Sequence, residues 1–267
     1  MMTTALVQLA KRIVPPWGRR AVRRMLHYTA QSPRIYSSAE VWTDSGRPDC
    51  ETGWRDDAIP AQQLQAFAPL LDDLRAGRPR VDFVALSAAV AAIEIADPLI
   101  VEVGCSSGWN VEVLRNLLHR PFRYIGFDYS AAMLALGHRS YPDAHFALAD
   151  AAALPMRDRS CDVALSGGVL MHVLSYRRAI EETVRIARNW CIFHTVPVLA
   201  RHPTTILTKE AYGSRVVEVV FNEAELLAMF KENRLVLRHR FDNLPHNYLD
   251  SIIGEPVTAY TYLCEKI

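Results

Sequence analysis

Three acids and two histidines recur through the middle of the chain, each in or just after a short apolar run. Glu102 interrupts Leu99-Ile-Val-Glu-Val103, which leads into Gly104-Cys105-Ser106-Ser107-Gly108. Asp128 follows Phe122 to Phe127, and Asp150 follows His145 to Leu148. His172 lies just beyond Cys161 to Ser166, and His194 falls within Trp190 to Val196. Gly104 and Gly108 permit backbone conformations and close approaches that a side chain forbids, and the first free N–H groups of a following helix can meet an anionic group. Asp128, 24 residues after Gly104, can accept hydrogen bonds from both ribose hydroxyls of an adenosine cofactor. His172 is the first candidate for a general base and His194 the second, because imidazole accepts protons near neutral pH.

These residues need a scaffold that delivers them to one edge. Leu99–Val103 has the nearly continuous apolar character of a strand buried on both faces of a parallel sheet. Val111, Val113, Leu114, Leu117 and Leu118 recur at helical spacing, so residues 104–108 must turn the chain from strand to helix. The alternation continues. Strands are expected over 122–127, 145–148, 161–166 and 190–196, with a helix opening near Ser130 or Asp128 and another over 175–188. Asn222-Glu-Ala-Glu reads as a capping box, followed by strands over 235–241 and 257–265. Arg201 to Val220, which includes Tyr212-Gly213, reads as a polar insert. The predicted architecture is α/β and Rossmann-like: a seven-stranded, mostly parallel sheet, its last strand antiparallel, with helices on both faces. Ligands would meet at the carboxyl ends of the first and fourth strands.

A dinucleotide site wants glycine at the first, third and sixth positions of the loop, and those are Gly104, Ser106 and Trp109. What remains is an acid two residues before the first glycine and a second glycine four residues after it. This resembles the first motif of class I S-adenosylmethionine (SAM) methyltransferases, with Ser106 where the family often has glycine. Asp150-Ala151, followed by the apolar-proline pair Leu154-Pro155, matches the family segment after the third strand. The resemblance runs in order from about 99 to 175. It implies that Gly104, Cys105, Ser106 and Gly108 receive the amino acid end of SAM, with Glu102 near its ammonium. It also implies that Asp128 holds the ribose, that Asp150 takes the adenine amino group, and that Ala151 and Leu154 hold the ring. Tyr129, Met133 and Ser166 complete the expected cofactor set. The expected reaction is methyl transfer from SAM to a small or medium-sized acceptor, at oxygen and without metal. Ser166-Gly167-Gly168 offers none of the acids that catechol-type relatives need, and no Asn-Pro-Pro-Tyr motif of amine methyltransferases is present. Two alternatives stand beside this reading. One is an NAD-dependent oxidoreductase, which Asp128 would serve equally. The other is a SAM-binding interaction protein without chemistry.

The outer limits come from composition. With 267 residues, half of them hydrophobic, the chain can bury one substantial core and carry an appendage. The expected division is a basic helical, lid-like extension over 1–79 and a methyltransferase domain over 80–267. No apolar run is long enough for a spanning helix, and no secretory signal stands at the start, so a cytoplasmic protein is expected. Five scattered cysteines without a Cys-x-x-Cys pair fit free thiols. No His-x-x-x-His array announces a metal. Seven Lys or Arg residues and no acid precede Glu40, and between Trp17 and Thr29 the arginines oppose Trp17, Val22, Met25 and Leu26 on a helical wheel. This helix is expected to touch an anionic surface or acceptor. Trp42 and Trp54 sit in an aperiodic stretch of the kind that often forms lids. No basic stripe interleaved with aromatics crosses the main domain, so a small-molecule, glycan or lipid-linked acceptor is expected rather than nucleic acid.

Overall fold

The computed structural model describes residues 36–41, 52–246 and 249–267. The basic helix expected between Trp17 and Thr29, together with Trp42 and Cys50, lies outside them. The chain divides into two compact units, Met1–Ser38 and Ala39–Ile267. Strand β1 (Tyr36–Val41) straddles the boundary, in a stretch whose sequence has no clear periodicity.

Within the second unit, a 3-10 turn at Gly53–Arg55 leads into helices α1 (Ile59–Arg75) and α2 (Val81–Ala91). Strand and helix then alternate: β2 (Leu99–Val103), α3 (Trp109–Leu117), β3 (Arg123–Asp128), α4 (Ala131–Ser140) and β4 (His145–Leu148). The second half holds β5 (Cys161–Gly167), a 3-10 turn at Leu170–His172, α5 (Tyr176–Ile186) and β6 (Ala187–Leu199). It continues with β7 (Thr205–Ala211), β8 (Ser214–Asn222), α6 (Glu223–Glu232), β9 (Leu235–Pro245), the short α7 (Asp250–Ile253) and β10 (Thr258–Lys266). The caps follow the sequence: Ser130 accepts a hydrogen bond from the Met133 N–H, and Asn222 accepts one from Glu225.

Seven strands lie in the order β4-β3-β2-β5-β6-β10-β9. Strands β4, β3, β2, β5 and β6 pair in parallel, whereas β10 is antiparallel to both neighbours. This is the sheet the sequence predicts. Side chains alternate between its faces, as the pleat requires. Val101, Val103, Ala164 and Phe193 join Ile180, Val184 and Phe230 on one face. Ile100, Val163, Leu165 and Ile192 join Leu86, Val90, Val111 and Leu114 on the other.

The insert departs from expectation. Most of it belongs to a β-hairpin over residues 205–222, β7 against β8, turned by Tyr212 and Gly213, both with positive φ as a two-residue type I′ turn requires. The charges at Lys209, Glu210, Arg215 and Glu218 obscure a β-branched run whose valines are buried. Lys209 Nζ meets Glu218 Oε2 at 2.7 Å with both side chains buried, so the pair is neutralised inside the fold. Strand β6 explains where the hairpin sits. It runs five residues past His194, which is opposite Gly167 at the end of β5. There Val198 pairs with Thr258 of β10 on one side and Phe221 of β8 on the other. The hairpin therefore takes the edge that β5 vacates, beyond the carboxyl end of the strand preceding His172.

Candidate active site

The loop after β2 is built from strained turns that glycine and serine tolerate. Gly104, Ser106 and Gly108 have φ of 73°, 52° and 81°. A Cβ on Gly104 would stand 2.2 Å from Val169, and one on Gly108 would stand 2.5 Å from Phe146. Gly104 thus lets the loop following β5 fold directly onto the glycine loop, and His172 lies three residues beyond that contact. The N–H groups of Gly104 and Cys105 both donate to the Phe127 carbonyl, which ties the loop to β3.

Asp128, at the end of β3, accepts from the Ser106 N–H at 2.8 Å and the Ser130 N–H at 2.9 Å. Burial pushes its carboxyl upward, against the pull of the Ser130, Ser106 and Tyr129 main-chain N–H groups. The carboxylate joins the glycine loop to the start of α4. Ser106 Oγ donates to Gln63 Oε1 at 2.7 Å and lies 3.3 Å from Met133 Sδ. Gln63 belongs to α1, so the helix closing over the loop supplies a contact that no local motif signals.

Glu102 sits beneath the loop with no exposed surface. Asn110 Nδ2 donates to it at 2.6 Å and the Tyr124 hydroxyl donates to its other oxygen. A Cβ on Gly167 would clash with its Oε1, so Gly167 makes room for this carboxyl. Burial, only partly offset by these donors, lifts the Glu102 pKa to about 7. With both oxygens engaged, Glu102 braces the loop from below. Cys105 turns its thiol into the core against Gly126, and burial raises its pKa. Ser166 is buried near the end of β5, where its carbonyl accepts from the Gly168 N–H.

At the end of β4, Asp150 is exposed and its Oδ1 accepts from the Ala152 N–H at 2.8 Å. Ala151 and Leu154 are buried beside it. This is an acidic acceptor at the rim of an apolar floor, the chemistry a purine requires. The floor is held from α5. Glu182 accepts from the Leu154 N–H, and Arg185 donates to the carbonyls of Leu154 and Met156. The i, i+3 Glu-Arg pair on α5 was the available sequence signal for this support.

The two histidines stand in different surroundings. His172 Nδ1 is 2.8 Å from the Val217 carbonyl of β8. A carbonyl only accepts, so Nδ1 carries the proton and Nε2 of the neutral ring keeps its lone pair. Burial, with Lys209 adding to it, lowers the His172 pKa to about 4. His194 Nδ1 lies 2.9 Å from Thr261 Oγ1, which also accepts from Asn243 Nδ2. Burial lowers its pKa to about 4, and its charged neighbours are Asp82 and Arg80 at the start of α2. The next residue, Thr195, has φ of 54° where β6 bulges against β10. His172 thus faces the hairpin and His194 the helix α2.

Residues 54–56 span from Tyr129, just after β3, to the hairpin. The Arg55 guanidinium lies 4.9 Å from the centroid of the Tyr129 ring, and the Tyr129 phenol hydrogen-bonds the Trp54 main chain. The Trp54 ring packs 4.6 Å from His172 and 6.0 Å from Tyr212. Asp56 accepts a hydrogen bond from Ser214 Oγ. Among the described residues, no three His, Cys, Asp or Glu side chains are grouped to share a metal ion. No described helix is long and apolar enough to cross a membrane.

Known proteins share this fold. Residues 101–193 match the family model described as a methyltransferase domain. A probable S-adenosylmethionine-dependent methyltransferase of Mycolicibacterium smegmatis is 28% identical over 94 residues, 35% of each chain, so this chain spans about a third of that relative's length. Magnesium protoporphyrin IX methyltransferase from Synechocystis, solved with bound SAM, shares the fold. Its TM-score is 0.57 at 15% identity, over 84% of this chain and 100% of that one. The 1,6-didemethyltoxoflavin-N1-methyltransferase of Burkholderia thailandensis, solved with its acceptor and S-adenosylhomocysteine, gives 0.56 at 14% identity, over 85% and 94%. The matched segment covers the glycine loop and the strand ends that carry the acids, so residues 101–193 are a methyltransferase domain.

Proposed function

We propose that this protein transfers a methyl group from SAM to an oxygen of a small-molecule acceptor, without a metal ion, and that His172 takes the acceptor's proton. The observation that carries the oxygen reading is the His172–Val217 hydrogen bond. It fixes the tautomer with Nε2 unprotonated, in a half-buried side chain just past the carboxyl end of β5. The small acceptors named for the two structural relatives support the substrate class.

When bound, SAM supplies an electrophilic methyl on a sulfonium whose C–S bond breaks as the O–C bond forms, leaving S-adenosylhomocysteine. The protein's part is alignment, exclusion of water and custody of one proton. Main-chain groups of Gly104, Cys105, Ser106 and Gly108 receive the amino acid end, and Glu102 holds Asn110 and the loop in place. Asp128 accepts from the ribose hydroxyls. Asp150 accepts from the adenine amino group while Ala151, Leu154, Tyr129 and Met133 enclose the ring, and Ser166 closes the inner wall. His172 Nε2 receives the hydroxyl proton, and the Val217 carbonyl holds the imidazole in place as it becomes charged. His194, held by Thr261, is the second candidate.

Calorimetry with SAM, S-adenosylhomocysteine and NAD tests the cofactor, and labelled methyl transfer in a metabolite extract tests the chemistry. His172→Asn should lower kcat about 100-fold or more with SAM affinity unchanged, the scale of a lost general base. Because burial lowers the His172 pKa to about 4, the free base persists as pH falls through 6.5. The acid limb of the rate profile should therefore appear near 4. Full activity in the Asn variant would make alignment alone sufficient.

A further inference from the structure

The indole N–H of Trp54 is a buried donor without a hydrogen-bond partner, one of only two such side-chain atoms among the described residues. The other, Arg120 Nε, belongs to a guanidinium that already donates to the Val90 carbonyl. Trp54 has no second donor, and a buried N–H left unpaired is costly, so its retention asks for an acceptor atom that arrives with a ligand. Its place in the fold says which ligand. Trp54 lies between Tyr129, next to the proposed ribose acid, and His172, the proposed base. The turn that carries it is pinned, because a Cβ on Gly53 would overlap the Arg215 carbonyl and Asp56 is bonded to Ser214. The rings of His172 and Tyr212 meet Trp54 at 54° and 60°, so the three form a corner rather than a closed stack.

We propose that Trp54, Tyr212 and His172 form the acceptor subsite, and that it takes a planar phenol carrying a second oxygen, which accepts the Trp54 indole N–H. The ring faces favour an aromatic acceptor through offset and edge contacts, which an aliphatic alcohol of equal size does not gain. The hydroxyl to be methylated faces His172, and the neighbouring carbonyl or hydroxyl oxygen faces Trp54. This inference rests on the methyltransferase reading and deepens it by naming the acceptor class.

The test uses the full chain saturated with S-adenosylhomocysteine, with 2-hydroxyacetophenone, phenol and cyclohexanol as probes. Calorimetry should rank them in that order, cyclohexanol at least tenfold weaker than 2-hydroxyacetophenone. Of the five tryptophan indole signals in a proton–nitrogen correlation spectrum, the one lost in Trp54→Phe should move downfield when 2-hydroxyacetophenone binds to the wild type. Trp54→Phe, which keeps a ring and removes the N–H, should lose about tenfold affinity for 2-hydroxyacetophenone and little for phenol. Cyclohexanol binding as tightly as the aromatics, no aromatic binding at all, or an unmoved Trp54 indole signal would each overturn the proposal. If S-adenosylhomocysteine itself fails to bind, the methyltransferase reading fails. If it binds and the probe results go the other way, only the acceptor assignment falls.

Discussion

Replacing Asp128 by Asn tests the cofactor site where the geometry is most specific. The two carboxylate oxygens accept separately from the Ser106 and Ser130 main-chain N–H groups. Asn keeps one carbonyl oxygen and must turn its NH₂ toward the other N–H, so one charge-assisted bond is lost and two donors face each other. A hydrogen bond to a charged group contributes about 1.5 to 3 kcal/mol, and the ribose hydroxyls would share the same acceptor. SAM affinity should therefore fall by about that amount, which is roughly a 10- to 150-fold rise in Kd. Calorimetry with SAM and S-adenosylhomocysteine measures it, beside a melting curve of the ligand-free protein. If the variant melts earlier yet binds both ligands with unchanged Kd, Asp128 serves only to tie the loop to α4, and the ribose lies elsewhere.

Three further outcomes follow from particular contacts. Glu102 has a pKa of about 7 in the fold and near 4.3 in an unfolded chain, so the folded state holds an extra proton between those values. Stability should then decline as pH rises from about 4.3 to 7 and level off above, and melting curves of Glu102→Gln across pH 4–8 should show a flatter profile. Gly104→Ala places a Cβ against Val169 at a positive φ, so it should cost about 2 to 4 kcal/mol in stability and abolish measurable SAM binding. Adding Val169→Gly, which removes the Cβ that the new methyl group meets first, should recover the steric part alone, and full recovery in a melting assay would show that the backbone conformation is not strained. For the basic arm, removal of residues 1–30 should spare SAM binding and raise the acceptor's KM, and salt should mimic the deletion. Early melting with loss of SAM binding, and no salt effect on the intact protein, would assign the arm to packing instead.

What the sequence determined by itself was local or strictly repeated. The alternation of apolar runs with helical spacing specifies the seven strands and their order of appearance, because burial on both faces leaves little choice of residue. The loop at 104–108 was legible because positive φ and close approach demand glycine or a small polar residue. Asp128 is legible as the end of a strand and Asp150 as the acid two residues past one. Ser130 and Asn222 were legible as caps because they act on N–H groups three residues away. Long-range pairing decided the rest. The hairpin at 205–222 is not legible in the sequence because its charges read as solvated until Lys209 and Glu218 are brought together across two strands. Glu102 reads as a ligand group, yet the fold spends both its oxygens on Asn110 and Tyr124, one on the next helix and one on the next strand. The two histidines look equivalent in sequence, each near the end of an apolar run. Only the tertiary structure separates them, because β8 offers His172 a carbonyl that sets its tautomer, while a bulge in β6 leaves His194 against Thr261. Gln63 and Trp54 reach the site from outside the repeating pattern, and a contact across forty or more residues leaves no periodic trace.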